Sequence, residues 1–413
     1  RGGISGRIDN LRQGFEEWRM ALQGRVAGLD LARVAPLLPP AAPEALAGEA
    51  VARVRVEGQP LAGDWSAEGE VSLSDLGIRW PAHLTGSRSD WDVETGFRFQ
   101  QRGERRELNV RRVSLARGPA GVSGATRLVW GGERPRGPRL ETDLQFAAAP
   151  LTAYKPLYGF RGVPEGLRAW LDQALVAGRV GPAEVTIDGP VADLPFPRGR
   201  GTLRVEAPVS GLELRYLPDW LPVTAGAGVL TVDRERLRFR GRAGRILSSP
   251  IRRVTVAVAD LTARNPVLRL DGEVDLDLAD GTEFLARSPL VAPGFLGPLQ
   301  PVGPGRLHLG LRAVLGPPGA GVPEERVRAW GQVDLQDAAV DLGPERSPLV
   351  QLRGTVAFEG RRLYADHPAR VCDCFQHLVG VQSLDVEELL SAVVGEHDRI
   401  GTDLGDVERD GVP

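Results

Sequence analysis

The chain has 413 residues, 42% of them hydrophobic and 25% charged, with a formal net charge of −3. That composition is ordinary for a folded chain long enough for two or three domains or one elongated array. The absence of a basic excess excludes a nucleic-acid binder, and no run of 18 apolar residues offers a membrane-crossing helix.

In chain order, residues 9–23 are expected to be helical, with Asp9 as cap, Leu11, Phe15, Trp18 and Leu22 on one face and Gly24 at the end. Asp30 starts a shorter helix over 31–38, cut off by Pro36 and the Pro39, Pro40 pair. From 50 to 150 short alternating runs dominate: Val51, Val54 and Val56; Val71 and Leu73; Phe97 and Phe99; Leu108 and Val110; Leu144 and Phe146. The clearest helix signal is 164–177, with Pro164 in its first turn, Leu167, Trp170, Leu171, Ala174 and Leu175 on one side, and Gly178 as its stop. A β region follows over 183–364, interrupted by a brief helix at 281–287.

Within it a unit occurs twice. Residues 201–239 and 331–364 both read as four short strands in one order: a strand opened by glycine (Gly201, Gly331), a second strand, a connection containing proline, another glycine-opened strand ending in an acid (Asp233, Glu359), a turn and a last strand. Past residue 366 this grammar stops. Cys372 and Cys374, the only cysteines, appear there, and 383–395 has helical spacing. The expected organisation is an N-terminal helical segment (1–40), a β-rich segment (41–150), an amphipathic helix and its connection (151–196), a repeated β segment (197–365) and a poorly integrated tail (366–413).

Catalytic signatures are missing. Cys372, Cys374 and His377 are zinc-ligand types, but their spacing is tight and no second ligand pair follows. Gly199 and Gly201, and Gly226 and Gly228, open strands rather than a phosphate-binding helix. His83 and His308 lack a nucleophile partner, and Asp233, Asp271 and Asp280 read as solvated turn residues. Trp220, set between Pro218 and Pro222, reads as a plug over a sheet edge, and Trp170 as core. No enzyme activity, metal or cofactor is expected.

Alternation is the stronger signal, because successive strand side chains point to opposite faces. It assigns one apolar face to Leu203, Val205, Leu212, Leu214, Leu230, Val232, Leu237, Phe239, Val254, Val256, Leu268, Leu270, Leu307, Leu309, Val333, Leu335, Leu352, Val356 and Phe358, with Arg204, Glu206, Arg236, Arg238 and Arg269 on the other. Two such faces can bury each other in a sandwich. With few helices to cover it, the expected fold is instead mainly β: an elongated, twisted antiparallel sheet whose apolar face forms a groove. Strands of five or six residues would make it roughly 18 Å wide. Some 25 of them would extend it by about 120 Å. An outer-membrane barrel would need aromatic girdles that 6% aromatic residues do not supply.

The segment bearing Val163, Glu165, Leu167, Trp170, Leu171, Leu175 and Gly178, followed by Asp188, Gly189, Asp193, Pro195 and Phe196, resembles the central region of the YhdP branch of the AsmA-like proteins. Leu29, Leu31, Val34, Pro36, Leu37 and Leu38, and Phe284, Ser288, Pro289 and Leu290, fit the same pattern. The resemblance covers 25–365 and implies a periplasmic segment of a protein anchored in the bacterial inner membrane. It would carry phospholipid toward the outer membrane along a hydrophobic groove, without catalytic residues. The implied partners are phospholipid acyl chains, the inner membrane through an anchor outside this chain, and outer-membrane components. On this reading the chain is an internal fragment. The alternative is a non-catalytic periplasmic scaffold for outer-membrane protein assembly or envelope integrity.

Overall fold

The structure, a computed structural model, describes residues 2–9, 17–34, 43–79, 87–132, 137–156, 171–197, 199–216, 220–287, 300–315, 327–341, 348–360, 362–365 and 384–385. Among these residues twenty-two strands share one sheet. Its first part is β1 (Gly2–Asp9), β2 (Arg19–Asp30), β3 (Ala45–Gln59), β4 (Asp64–Arg79), β5 (Ser87–Arg102), β6 (Arg105–Arg117), β7 (Ala120–Trp130), β8 (Arg139–Phe146) and β9 (Ala149–Pro150). The middle is β10 (Leu175–Val180), β11 (Ala183–Pro190), β12 (Thr202–Leu214), β13 (Val223–Asp233), β14 (Arg236–Ile246), β15 (Ser249–Val258) and β16 (Val267–Asp277). The last part is β17 (Gln300–Val302), β18 (Pro304–Val314), β19 (Val327–Asp341), β20 (Leu349–Glu359), β21 (Arg362–Ala365) and β22 (Leu384–Asp385).

All pairings are antiparallel and join neighbours along the chain. β8 and β9 form one interrupted line that faces β11 and β10, which form a second. Both halves of that second line pair with β12. In the same way β17 and β18, broken at Gly303, both pair with β19. The sheet is therefore an open antiparallel meander of nineteen lines. It runs through the expected segment boundaries at 40, 150 and 196 without a gap in pairing. At roughly 4.8 Å per step it extends about 85 Å along its curve, shorter than the expected 120 Å. Its lines are longer than expected: β4 has 16 residues and β14 has 11. An 11-residue strand spans about 36 Å.

Among the described residues four α-helical pieces interrupt the meander: α1 (Leu31–Val34), α2 (Leu151–Tyr154), α3 (171–174) and α4 (Leu278–Arg287). β2, the β8–β9 line and β16 run in the same direction, so all four pieces lie at one long edge, the helical edge. Across from it, β3–β4, β5–β6 and β13–β14 are joined by short turns at 60–63, 103–104 and 234–235, which define the turn edge.

Irregularities concentrate toward the helical edge. Register shifts occur in β2, β4, β12, β13, β19 and β20, beside the positive-φ residues Gly28, Asp75, Gly211, Ala225, Asp337 and Gln351. Such bulges insert one residue, bend the strand and increase its twist. They correct the four-strand reading of the repeat. The expected first and second strands are one bulged strand in each copy, β12 and β19. A broken two-part line precedes each, and a helix precedes that line.

Three helix expectations change. In 9–23, Asp9 ends β1 opposite Arg19, residues from 19 onward are β2, and 10–16 lie outside the described residues. Alternation of Met20, Leu22, Gly24 and Val26 against β3 outweighs the helical spacing. In 164–177, only 171–174 are described as helix; Leu175–Val180 is β10, and Gly178 sits in a register shift at φ 138 rather than at a helix stop. A Cβ there would approach Leu151 Cδ1 and Leu212 Cα at 3.1 Å, so glycine admits a close approach. In 383–395, Leu384 and Asp385 pair with β21 and the rest lies outside the described residues. The helix at 281–287 forms as α4, starting earlier, and Asp30 caps α1 by accepting the Ala32 N–H at 2.9 Å.

Candidate functional site

Opposed residues in an antiparallel pair share a face, so register carries the apolar face across the sheet. One rung runs Leu144, Val185, Val205, Val232, Leu237, Val258, Leu268. The next runs Leu230, Phe239, Val256, Leu270, Leu311. Beyond them Val254 leads through Gly272 and Leu309 to Gly331 and Phe358, and Val274 leads to Leu307, Val333 and Val356. The bulges preserve this face. Leu203 and Val205 precede the shift in β12, Leu212 and Leu214 follow it, and the extra residue keeps all four on one side. In the same way the shift at Asp337 keeps Ala338, opposite Leu352, on the side of Leu335.

All the residues assigned to an apolar face from sequence therefore share one. The face also extends where no site residue was expected: Leu22, Val56, Ala67, Phe99, Leu108, Leu128 and Leu140 form one rung from β2 to β8. Their signal was the same alternation, visible at 51–56, 97–99 and 108–110.

Among the described residues no second sheet covers this face. Of the assigned residues only Leu212 and Leu352 are buried; the others are half-buried. A sandwich would have buried both inner faces. Two caps close the face locally, both at the helical edge. Leu151 and Tyr154 of α2 pack on Val122, Ala183 and Leu212, and the Tyr154 hydroxyl donates to the Ala147 carbonyl at 2.6 Å. Leu278 of α4 packs on Ala338 and Leu352. Trp220 bridges edge-on to Tyr216 at 5.6 Å and to Phe284 of α4 at 5.5 Å, tying the β12–β13 connection to that helix. Burial pushes the Tyr216 hydroxyl pKa up.

Asp280 anchors α4 to the β14–β15 turn. It accepts hydrogen bonds from the Ser248 N–H at 3.0 Å and from the Ser248 and Ser249 hydroxyls at 2.7 Å. Desolvation pushes its carboxyl upward, but the bonds from Ser249 and Ser248 together outweigh it and hold the group below its ordinary value.

At the turn edge Phe196, in the β11–β12 connection, is 1% exposed, with its ring over Gly189 and Gly201. Farther along, Phe99 lies between Trp65 and Trp130, with centroids 4.8 and 6.0 Å away.

The opposite face is charged. Arg98 pairs with Glu68 at 2.7 Å, Arg127 with Glu107 at 2.8 Å and Glu141 at 3.1 Å, and Arg252 with Asp275 at 2.6 Å. Hydrogen bonds from these arginines lower the pKa values of Glu68, Glu107 and Asp275. Exposed pairs of this kind contribute little stability; they keep the outer face wet. Asp233 and Asp271 lie on it, as does His308, 3.7 Å from Asp334. His83, Trp170, Cys372, Cys374 and His377 lie outside the described residues.

An open meander with one continuous apolar face and a charged back defines a groove-forming β protein. The family model described as YhdP protein matches residues 88–368, and the chain belongs to this YhdP-type branch of the AsmA-like proteins. No curated protein and no solved structure matches the chain. Among the described residues no helix is long and apolar enough to cross a membrane.

Proposed function

We propose that this chain is a periplasmic segment of an envelope protein and conducts phospholipid between the inner and outer membranes without a catalytic step. The observation that carries the reading is that most of one apolar face is only half-buried along the sheet. Fully burying a leucine gains roughly 2 kcal/mol, and residues such as Leu270 and Leu309 realise only part of it. An acyl chain lying on them recovers the remainder at about 0.8 kcal/mol per methylene buried. A strand span of about 36 Å exceeds the ~15 Å of one leaflet's hydrocarbon, so a tail fits between the turn edge and the helical caps.

The test is native mass spectrometry of the chain purified from Gram-negative cells, with Leu270→Arg and Leu309→Arg beside it. Bound phospholipid is expected on the wild type and lost in both variants, with the circular dichroism melt unchanged. A guanidinium on a half-open face reaches water, whereas in a closed core it would unfold the protein. A wild type purified without lipid would favour a structural scaffold, and variants that keep their lipid would remove these residues from the path.

A further inference from the structure

The apolar face carries one conspicuous exception. Between the turn edge and the bulges, among the described residues, register places a single charged side chain on it: Arg106. Its neighbours on the same face of β6 are Leu108 and Val110, and across the strands it stands opposite Gln101 and Trp130. Arg117, beyond the bulge in β6, is held by the Ser89 carbonyl and by Asp90. Arg106 is exposed and has no carboxylate partner among the described residues.

The surroundings of Arg106 are already satisfied. Gln101 accepts the Trp65 indole N–H at 3.3 Å and donates to the Gly103 carbonyl at 3.1 Å. Farther in, the hydroxyls of Thr126 and Thr142 bond each other at 2.7 Å. Among the described residues these polar groups thus answer one another, and the Arg106 guanidinium is the group facing outward without a carboxylate partner. Trp65 and Trp130 flank it, Phe99 lies between them, and Leu61 in the adjoining turn is 61% exposed. Indole rings and an arginine at the border of an apolar surface are the groups that settle where hydrocarbon meets headgroups.

We propose that Arg106, framed by Trp65 and Trp130, holds the phosphate of a phospholipid at the turn edge while its tails lie over Phe97, Phe99, Leu108 and Leu128. The assignment rests on the groove reading above and adds the group in the lipid that is recognised. Arginine suits this role because its planar donor fork matches phosphate oxygens and stays charged. A lipid is favoured over free phosphate because the cation sits on an apolar face beside indoles.

The experiment compares binding of a phospholipid and of diacylglycerol with identical acyl chains to the full chain and to Arg106→Gln and Arg106→Lys. Diacylglycerol reports the groove, and the phospholipid preference reports Arg106. Wild type is expected to prefer phospholipid by about tenfold, the scale of one charge-assisted contact. Arg106→Gln abolishes that preference and leaves diacylglycerol binding intact; Arg106→Lys restores part of it. Millimolar inorganic phosphate should not displace the lipid; if it does, the site is one for free phosphate and the assignment falls. Equal phospholipid preference in Arg106→Gln and wild type also overturns it. Failure of the wild type to bind either lipid removes the groove reading, and this assignment with it.

Discussion

Phe196 shows how a single residue closes this sheet where the described residues place no second layer. Its ring covers Gly201, where a Cβ would lie 2.6 Å from ring atom Cδ1, and neighbouring Gly189 leaves the same space. Removing the ring leaves an unfilled hollow, and Phe→Ala changes in packed sites cost about 3–5 kcal/mol. Phe196→Ala is therefore expected to lower hydrogen-exchange protection of β11 and β12 amides by about 3 kcal/mol or more, with β18 and β19 unaffected. Unchanged protection in β11 would mean the ring is ornamental. The segment that resembles the family ends at Phe196, but its pattern does not show that Gly189 and Gly201 leave the space in which the ring sits. Arg106 was missed for a comparable reason. Beside Arg105 and Gly103 it reads as turn charge, and only its parity with Leu108 and Val110 places it on the apolar side.

At the scale of elements, the bulge decides how the repeat works. Alternation was legible, and it placed every assigned residue on one face. The phase slip between Val209 and Leu212, and again between Leu335 and Ala338, was equally visible, but it reads as a break between two strands when pairing is unknown. Pairing with β13 and β20 holds the chain extended through the slip, so the extra residue is absorbed at positive φ by Gly211 and Asp337. The helical expectation for 19–23 failed likewise, because cross-strand partners on β3 decide between two periodicities that a short segment can both satisfy. Deleting Gly211 would turn Leu212 and Leu214 to the charged face, since a one-residue slip inverts every following side chain. The expected outcome is exchange protection lost in α2 and β10, whose cap rests on Leu212, and kept in β14 through β16. Gly211→Asn should retain the cap, because asparagine tolerates the left-handed region. Loss of protection in both variants, or in neither, would contradict this account of the bulge.

At the scale of the molecule, a meander in which each line pairs only with its neighbours shows, among the described residues, no common core to make it unfold as one. Its two buried clusters sit far apart in the strand order, around β12 and around β19. Stability should then resemble that of repeat arrays, a sum of local and nearest-neighbour contributions. Gly69, in β4, offers a clean perturbation: a Cβ would press on the Arg53 carbonyl and lie 3.2 Å from Val54 Cα, both backbone atoms that cannot step aside. Gly69→Val is expected to lower exchange protection through β3, β4 and β5 and to leave β18, β19 and β20 at wild-type values. Protection falling equally across all of them would show a single cooperative unit and a hidden core. The local outcome suits a lipid path. A passing acyl chain borrows contacts from a few lines at a time, so the trough can yield where the chain lies and keep its register elsewhere. Lengthening such a path takes only further lines of the same alternation, each extending the groove by about 4.8 Å.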